Sequence, residues 1–196
     1  MDRQIKVLLV EDDNDFAYLI QKKINQDTRL LLVGHAENKS TAAEMAIDLQ
    51  LDLVVMDLSL AHGEMDGIET AKEISLTTGA KVLFLTSFEQ PSVIIKASKE
   101  AFASGYVFKS QCQDIADMIY QTATSQTPQE AFIRELLLND LSSAEKDILN
   151  HILEGKRESL FSSSKKTIAN QKTSIFRKLG VKNTNELLRV FHRSGS

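Results

Sequence analysis

Leu53-Val54-Val55-Met56-Asp57-Leu58-Ser59-Leu60-Ala61-His62-Gly63-Glu64-Met65-Asp66-Gly67 is the stretch that decides the fold. Four consecutive apolar residues bounded by Asp52 and Asp57, with a glycine-containing loop next, predict a strand buried on both faces of a parallel sheet. The Asp57 carboxylate therefore stands at the strand's C-terminal edge. In open α/β sheets ligands bind and chemistry happens at that edge, so an Asp there can be a nucleophile or a metal ligand. It can also be a loop-entry residue that caps the next helix.

The same pattern repeats on either side. Ile5–Val10 reads as a strand and runs directly into Glu11-Asp12-Asp13. Three adjacent acids repel one another and raise carboxylate pKa values unless a cation offsets them, which makes a divalent metal the natural occupant. Helical spacing of Phe16, Leu19, Ile20 and Ile24 predicts a helix over 15–26. Leu30–Ala36 and Lys81–Thr86 read as strands, as does 106–109. Helices are predicted over 40–49 with Ser40 as its opening residue, over 67–76, over 91–103 with Pro91 in its first turn, and over 114–123. Five β/α alternations in about 120 residues make a doubly wound parallel sheet with helices on both faces.

Length and composition set outer limits. At 196 residues the chain suits one or two domains, and 42% hydrophobic with 26% charged residues suits a folded globular protein and excludes a disordered or fibrous one. No apolar run approaches the roughly 18 residues that span a bilayer, and Met-Asp-Arg-Gln before a short strand is no signal peptide, so a cytoplasmic location is expected. The lone Cys112 has no partner for a disulfide or a cysteine-based metal site, consistent with a reducing compartment. Charge is unevenly spread: residues 156–196 hold 10 Lys and Arg against 2 Asp and Glu, a net of +8 in a chain whose total is -4. An acidic N-terminal part joined to a basic tail points to two domains, the second facing a polyanion.

Thr-Ser-Gln-Thr-Pro opens a linker over 125–140, with a helix over 130–138 inside it, between a first domain over 1–124 and a second over 141–196. In the second, Ser142 to Glu145 carries a capping-box spacing ahead of Ile148, Leu149, Ile152 and Leu153, and Gly155 ends that helix. A basic helix follows over 167–179, stopped by Gly180, and Asn183 to Glu186 repeats the capping spacing before a last helix.

Glu11 and Asp12 after the first strand, Asp57 after the third, Thr86 after the fourth and Lys109 after the fifth all converge on one sheet edge. With Val-Glu-Asp-Asp, Met-Asp-Leu, Met65-Asp66-Gly67, Leu85-Thr86-Ser87 and Gly105-Tyr106-Val107-Phe108-Lys109 in that order, residues 4–124 resemble a response-regulator receiver domain. The resemblance implies a five-stranded flavodoxin-like sheet of order 2-1-3-4-5 and Asp57 as phosphoacceptor. Mg²⁺ would be held by Asp12, Asp57, Glu11 through water, and the backbone carbonyl of Ser59. Lys109 would bind phosphoryl oxygens, and Thr86 with Tyr106 would form the switch. A sensor histidine kinase is the implied partner, and the only chemistry implied is the protein's own phosphorylation and dephosphorylation, not turnover as an enzyme. Three departures stand out: a longer loop after Asp57, Phe102 where a helix-ending Gly is frequent, and Ser110 in place of Pro. Phe88 is expected to cover the phosphoryl face and slow hydrolysis, the alternative being that it points into the interface of the fourth helix and leaves the site open.

The part over 140–193 resembles the LuxR-type helix-turn-helix of the NarL/FixJ group, most specifically in Arg177-Lys178-Leu179-Gly180-Val181. Lys165, Lys166, Asn170, Gln171 and Lys172 would then face DNA, and a homodimer is expected on phosphorylation. The spacing from Gly155 to Thr167 is about four positions short for the family's scaffold helix, with Leu160 and Phe161 as a remnant turn. The competing expectation is therefore a C-terminal part that serves dimerisation or partner binding.

Overall fold

The computed structural model describes residues 3–60, 66–155 and 165–191. β1 (Ile5–Val10), β2 (Leu30–Ala36), β3 (Leu53–Met56), β4 (Lys81–Thr86) and β5 (Gly105–Phe108) form one sheet in the order β2-β1-β3-β4-β5, every neighbouring pair parallel. Strand residues alternate between faces, so one strand feeds two cores. Leu8, Val10, Val54 and Met56 face a cluster with α2 (Lys39–Leu49), α3 (Asp66–Thr78) and α4 (Pro91–Glu100). Val7, Leu9, Leu53 and Val55 face α1 (Asn14–Gln26) and α5 (Ile115–Thr124). All four β3 residues are buried, which is why that strand is a continuous apolar run.

Element ends differ from the sequence-based expectation where a local bond intervenes. Asn38, not Ser40, caps α2, its side chain accepting from Thr41 N at 3.1 Å. The helix predicted over 91–103 stops at Glu100, because Phe102 takes a left-handed backbone (φ 54°) and Ala103 N donates back to Ser98 O at 3.0 Å. Phe102 thus fills the helix-ending position that glycine fills most easily. Lys109 leaves the fifth strand and opens a short 3₁₀ turn, Lys109–Gln111.

Within the stretch expected to be a linker, α6 (Pro128–Leu138) packs on the sheet domain. Ile133 joins the core cluster of α2, α3 and α4, and buried Lys81 reaches Glu130 at 3.1 Å and the Ser125 carbonyl at 3.0 Å. The Gln129 carboxamide accepts from Tyr106 N at 3.0 Å and donates to Tyr106 O at 3.3 Å. Beyond it, α7 (Ser143–Leu153), α8 (Lys165–Leu179) and α9 (Thr184–Phe191) share a third core with Leu137, Leu141, Ile148, Leu149, Ile175 and Leu187. The Ser142–Glu145 capping box forms as expected. The ring of Phe102 is also part of this third core, and Arg189 Nη1 donates to Leu76 O at 2.8 Å, so the C-terminal helices rest on α3 and the end of α4. Leu160 and Phe161 lie outside the described residues.

Candidate functional site: an acidic pocket at the carboxyl edge of the sheet

Parallel ladders bring the strand ends level. Asp57 N donates to Val10 O at 2.9 Å and Glu11 N to Ala36 O at 3.0 Å, so two acids follow adjacent strands at the same height. Ligand oxygens of Glu11, Asp12 and Asp57 lie within 4.8 Å of one another. Glu11 and Asp57 are buried, and Asp12 is half-buried. Three carboxylates so close repel one another, and the arrangement calls for a compensating cation.

Lys109 supplies part of that compensation. Its Nζ lies 2.7 Å from the Glu11 carboxylate and 2.9 Å from Asp57 Oδ2. On the other side the ammonium sits over the Phe16 ring, 4.6 Å from its centroid. Burial alone would lower the Lys109 pKa, but the bonds to Glu11 and Asp57 outweigh it and the net shift is upward. Burial pushes the Glu11 carboxyl up, reinforced by Asp57 and resisted by the bond from Lys109.

Ser59 follows on the exposed side of the loop, its N–H donating to Asp57 Oδ1 at 3.2 Å. Gly67, at the start of α3, passes over the Asp57 carbonyl, its N–H donating to Leu58 O at 3.2 Å. Thr86 is fully buried, with its hydroxyl accepting from Phe88 N at 3.2 Å. Tyr106 is buried between Phe84 and Phe108, and its hydroxyl donates to Phe88 O at 2.9 Å. Burial pushes the phenol up to about 12, with a hydrogen bond to Thr86 working the other way. The segment after β4 thereby ties Thr86 and Tyr106 together through the Phe88 backbone.

Glu11, Asp12, Asp57, Ser59, Thr86, Tyr106 and Lys109, the receiver-part site residues singled out in the sequence, thus lie at or beside one edge. Phe88 departs from its expected place: its half-buried ring packs on the core under α4 with Val93 and Ile94, where apolar burial is available. Phe16 was legible only as one apolar position of a helix; its location in the first turn after the acidic run is the single signal of its contact with Lys109. In the C-terminal part Lys166 and Asn170 are exposed on α8, Gln171 and Lys172 are half-exposed, and Lys165 begins the helix. Ile168, Ile175 and Leu179 form the opposite, buried face. No described helix is long and apolar enough to cross a membrane.

A doubly wound sheet with a lysine-bridged acidic pocket at its carboxyl edge is the class that fold and site define. The chain belongs to the response regulator receiver domain family, whose model matches residues 7–120. Transcriptional regulatory protein LiaR of Bacillus subtilis (strain 168) is 28% identical over 210 residues, covering 97% of this chain and 98% of LiaR. Response regulator protein VraR of Staphylococcus aureus (strain NCTC 8325 / PS 47) is 29% identical over 184 residues and 87% of each chain. Among solved structures, a Salmonella typhimurium RcsB response regulator studied for conformational dynamism in DNA interaction is 25% identical with a TM-score of 0.54, covering 95% of this chain and 97% of that one. The protein is a response regulator whose relatives are transcriptional regulators.

Proposed function

We propose that Asp57 accepts a phosphoryl group from a sensor histidine kinase and that the modified protein binds DNA through α8 to regulate transcription. The convergence of Glu11, Asp12 and Asp57 within 4.8 Å of one another, with Lys109 bonded to Glu11 and Asp57, carries the phosphoacceptor part of this reading. An all-oxygen set with two buried carboxylates fits a hard divalent cation; Mg²⁺ would suit it, and Glu11, Asp12 and Asp57 with the Ser59 carbonyl would hold it. When bound, Mg²⁺ neutralises the negative charge that builds between carboxylate and phosphoryl oxygens.

The residues divide the work. Asp57 Oδ attacks phosphorus, the bond from phosphorus to the donor histidine nitrogen breaks, and the electron pair leaves with the imidazole, giving an acyl phosphate. Lys109 exchanges a carboxylate contact for phosphoryl oxygens as a mobile point charge. Thr86 donates its hydroxyl to the new dianion, which frees the Phe88 segment and with it Tyr106, a shift between two states biased by one charge change. The chemistry is confined to the protein's own side chain. The relatives' transcriptional role, the interaction of RcsB with DNA and the +8 charge over 156–196 support DNA as the partner, with a homodimer as the binding form.

Incubation with Mg²⁺ and acetyl phosphate should raise the intact mass by one phosphoryl group, and Asp57→Asn should abolish the gain. A stable phosphoryl group on Asp57→Asn would remove the assignment. Binding to genomic DNA fragments with and without the donor tests the output. Affinity should fall with salt by roughly 0.9 log units per log unit for each phosphate neutralised. Lys166→Ala and Lys172→Ala should flatten that slope, and a 140–196 fragment that self-associates but retains no DNA would overturn the DNA-binding part.

A further inference from the structure

We infer that Phe16 is a positioning residue whose ring face holds the Lys109 ammonium beside Asp57 while the ammonium's carboxylate contacts change during phosphoryl transfer. The inference rests on the phosphoacceptor reading above and extends it to an element that carries none of the charged groups of the site. An ammonium has three N–H donors. In Lys109 two sides of the cation meet Glu11 and Asp57 at 2.7 and 2.9 Å, and a third meets the Phe16 ring with 4.6 Å between Nζ and the centroid. An aromatic face carries the negative lobe of the ring quadrupole, so it attracts a cation without an ionisable group and without a fixed donor direction.

The ring is itself well held. Phe16 lies in the first turn of α1, where the Asp13 carboxylate accepts from Asp15 N and Phe16 N at 3.0 Å each. The same short run therefore sets both the acidic ligands and the aromatic face. The half-buried ring also packs against the core shared by α1 and α5. Lysine has a flexible four-carbon stem and loses direction when its partners change. Formation of the acyl phosphate converts the anionic Asp57 partner into an ester-like group, whereas the ring is chemically untouched by the reaction. Of the three contacts the reaction converts only Asp57; Glu11 and the Phe16 ring are left chemically untouched, and the ring alone holds the ammonium without a charge of its own. A saturated side chain of similar size would fill the space and lack the attraction.

Fluorinated phenylalanines at position 16 test this in the full chain, because successive fluorines drain the ring face while leaving its shape nearly unchanged. The measurements are the rate of Asp57 phosphorylation by acetyl phosphate, the affinity for beryllofluoride with Mg²⁺ as a phosphoryl mimic, and the melting temperature. We expect rate and beryllofluoride affinity to fall stepwise from one to three fluorines, reaching about fivefold, or about 1 kcal/mol, with melting unchanged. Phe16→Trp should match or exceed the parent and Phe16→Leu should fall with the trifluorinated form. Equal rates and affinities across the fluorine series would overturn the inference while leaving the phosphoacceptor reading intact. A parent protein that gains no phosphoryl group on Asp57 would overturn that reading and this inference with it.

Discussion

Gly67 approaches the site so closely that a Cβ built on it would lie 2.1 Å from the Asp57 carbonyl oxygen and 2.9 Å from Leu58 Cα. Both are backbone atoms, so neither can turn aside. Gly67→Ala should cost about 1–3 kcal/mol through forced overpacking, seen as a lower urea midpoint, and should slow Asp57 phosphorylation by shifting the loop that carries it. Tyr106→Phe has a milder expected effect, a loss of about 1 kcal/mol from leaving the Phe88 carbonyl unpaired, with the coupling between Thr86 and Tyr106 broken. At this scale the charged residues were legible and the aromatic ones less so. Glu11, Asp57 and Lys109 follow apolar strand runs, and a strand's length fixes which residue reaches its edge. The destinations of Phe16 and Phe88 depend on helices folding back from elsewhere, and spacing along one helix or loop carries no record of that packing.

Among the elements, α7 shows how a short pattern becomes a titratable support. Glu145 accepts from Ser142 N at 2.7 Å within the capping box and also takes the Lys178 ammonium from α8 at 2.7 Å. The Lys178 bond, with help from Ser174 and Ser142, holds the Glu145 carboxyl at about 2 against an ordinary 4.5. A depressed folded-state pKa stabilises the fold above the unfolded value and loses that contribution as pH falls between about 4.5 and 2. Glu145→Gln should therefore melt below the parent near neutral pH, and the gap should close steadily on acidification through that window. An unchanged gap down to pH 2 would mean that the charge of Glu145 is irrelevant to stability. The cap itself was readable from Ser142 and Glu145, whereas its second use as an anchor for Lys178 needed two helices side by side. The early end of α4 was hidden for the opposite reason: Phe102 is a poor residue for a left-handed backbone, and only its burial in a distant core explains why it adopts one.

For the whole molecule, Phe102 is a fully packed receiver residue in the C-terminal core, with Leu76 of α3 packed against that core, and its backbone conformation costs roughly 1–2 kcal/mol for most residues other than glycine. Phe102→Gly relieves that cost where it arises and removes the ring from between the two parts, which separates their fates. Hydrogen exchange should quicken at the amides of α7 and α9 while those of β1 and β3 keep their protection; faster exchange throughout the sheet would mean that Phe102 supports the receiver itself. The parallel sheet was legible from the alternation of strands and helices and its order through the resemblance to receivers, but the place of α6 was not, because Thr-Ser-Gln-Thr-Pro has the composition of a tether. Its Gln129 carboxamide stands where the backbone of a sixth strand would, taking up both the N–H and the C=O of Tyr106 on the outer rim of β5. A chain cut at 124, the boundary read from the sequence, would lay that rim bare and deprive the Lys81 ammonium, 5% exposed in the whole chain, of its Glu130 counter-ion. Bare rims find one another. The truncated protein should grow in light scattering as its concentration rises, whereas a cut after Leu138 should leave a monodisperse particle, the outcome expected if the smallest self-sufficient receiver carries one helix more than its sheet requires.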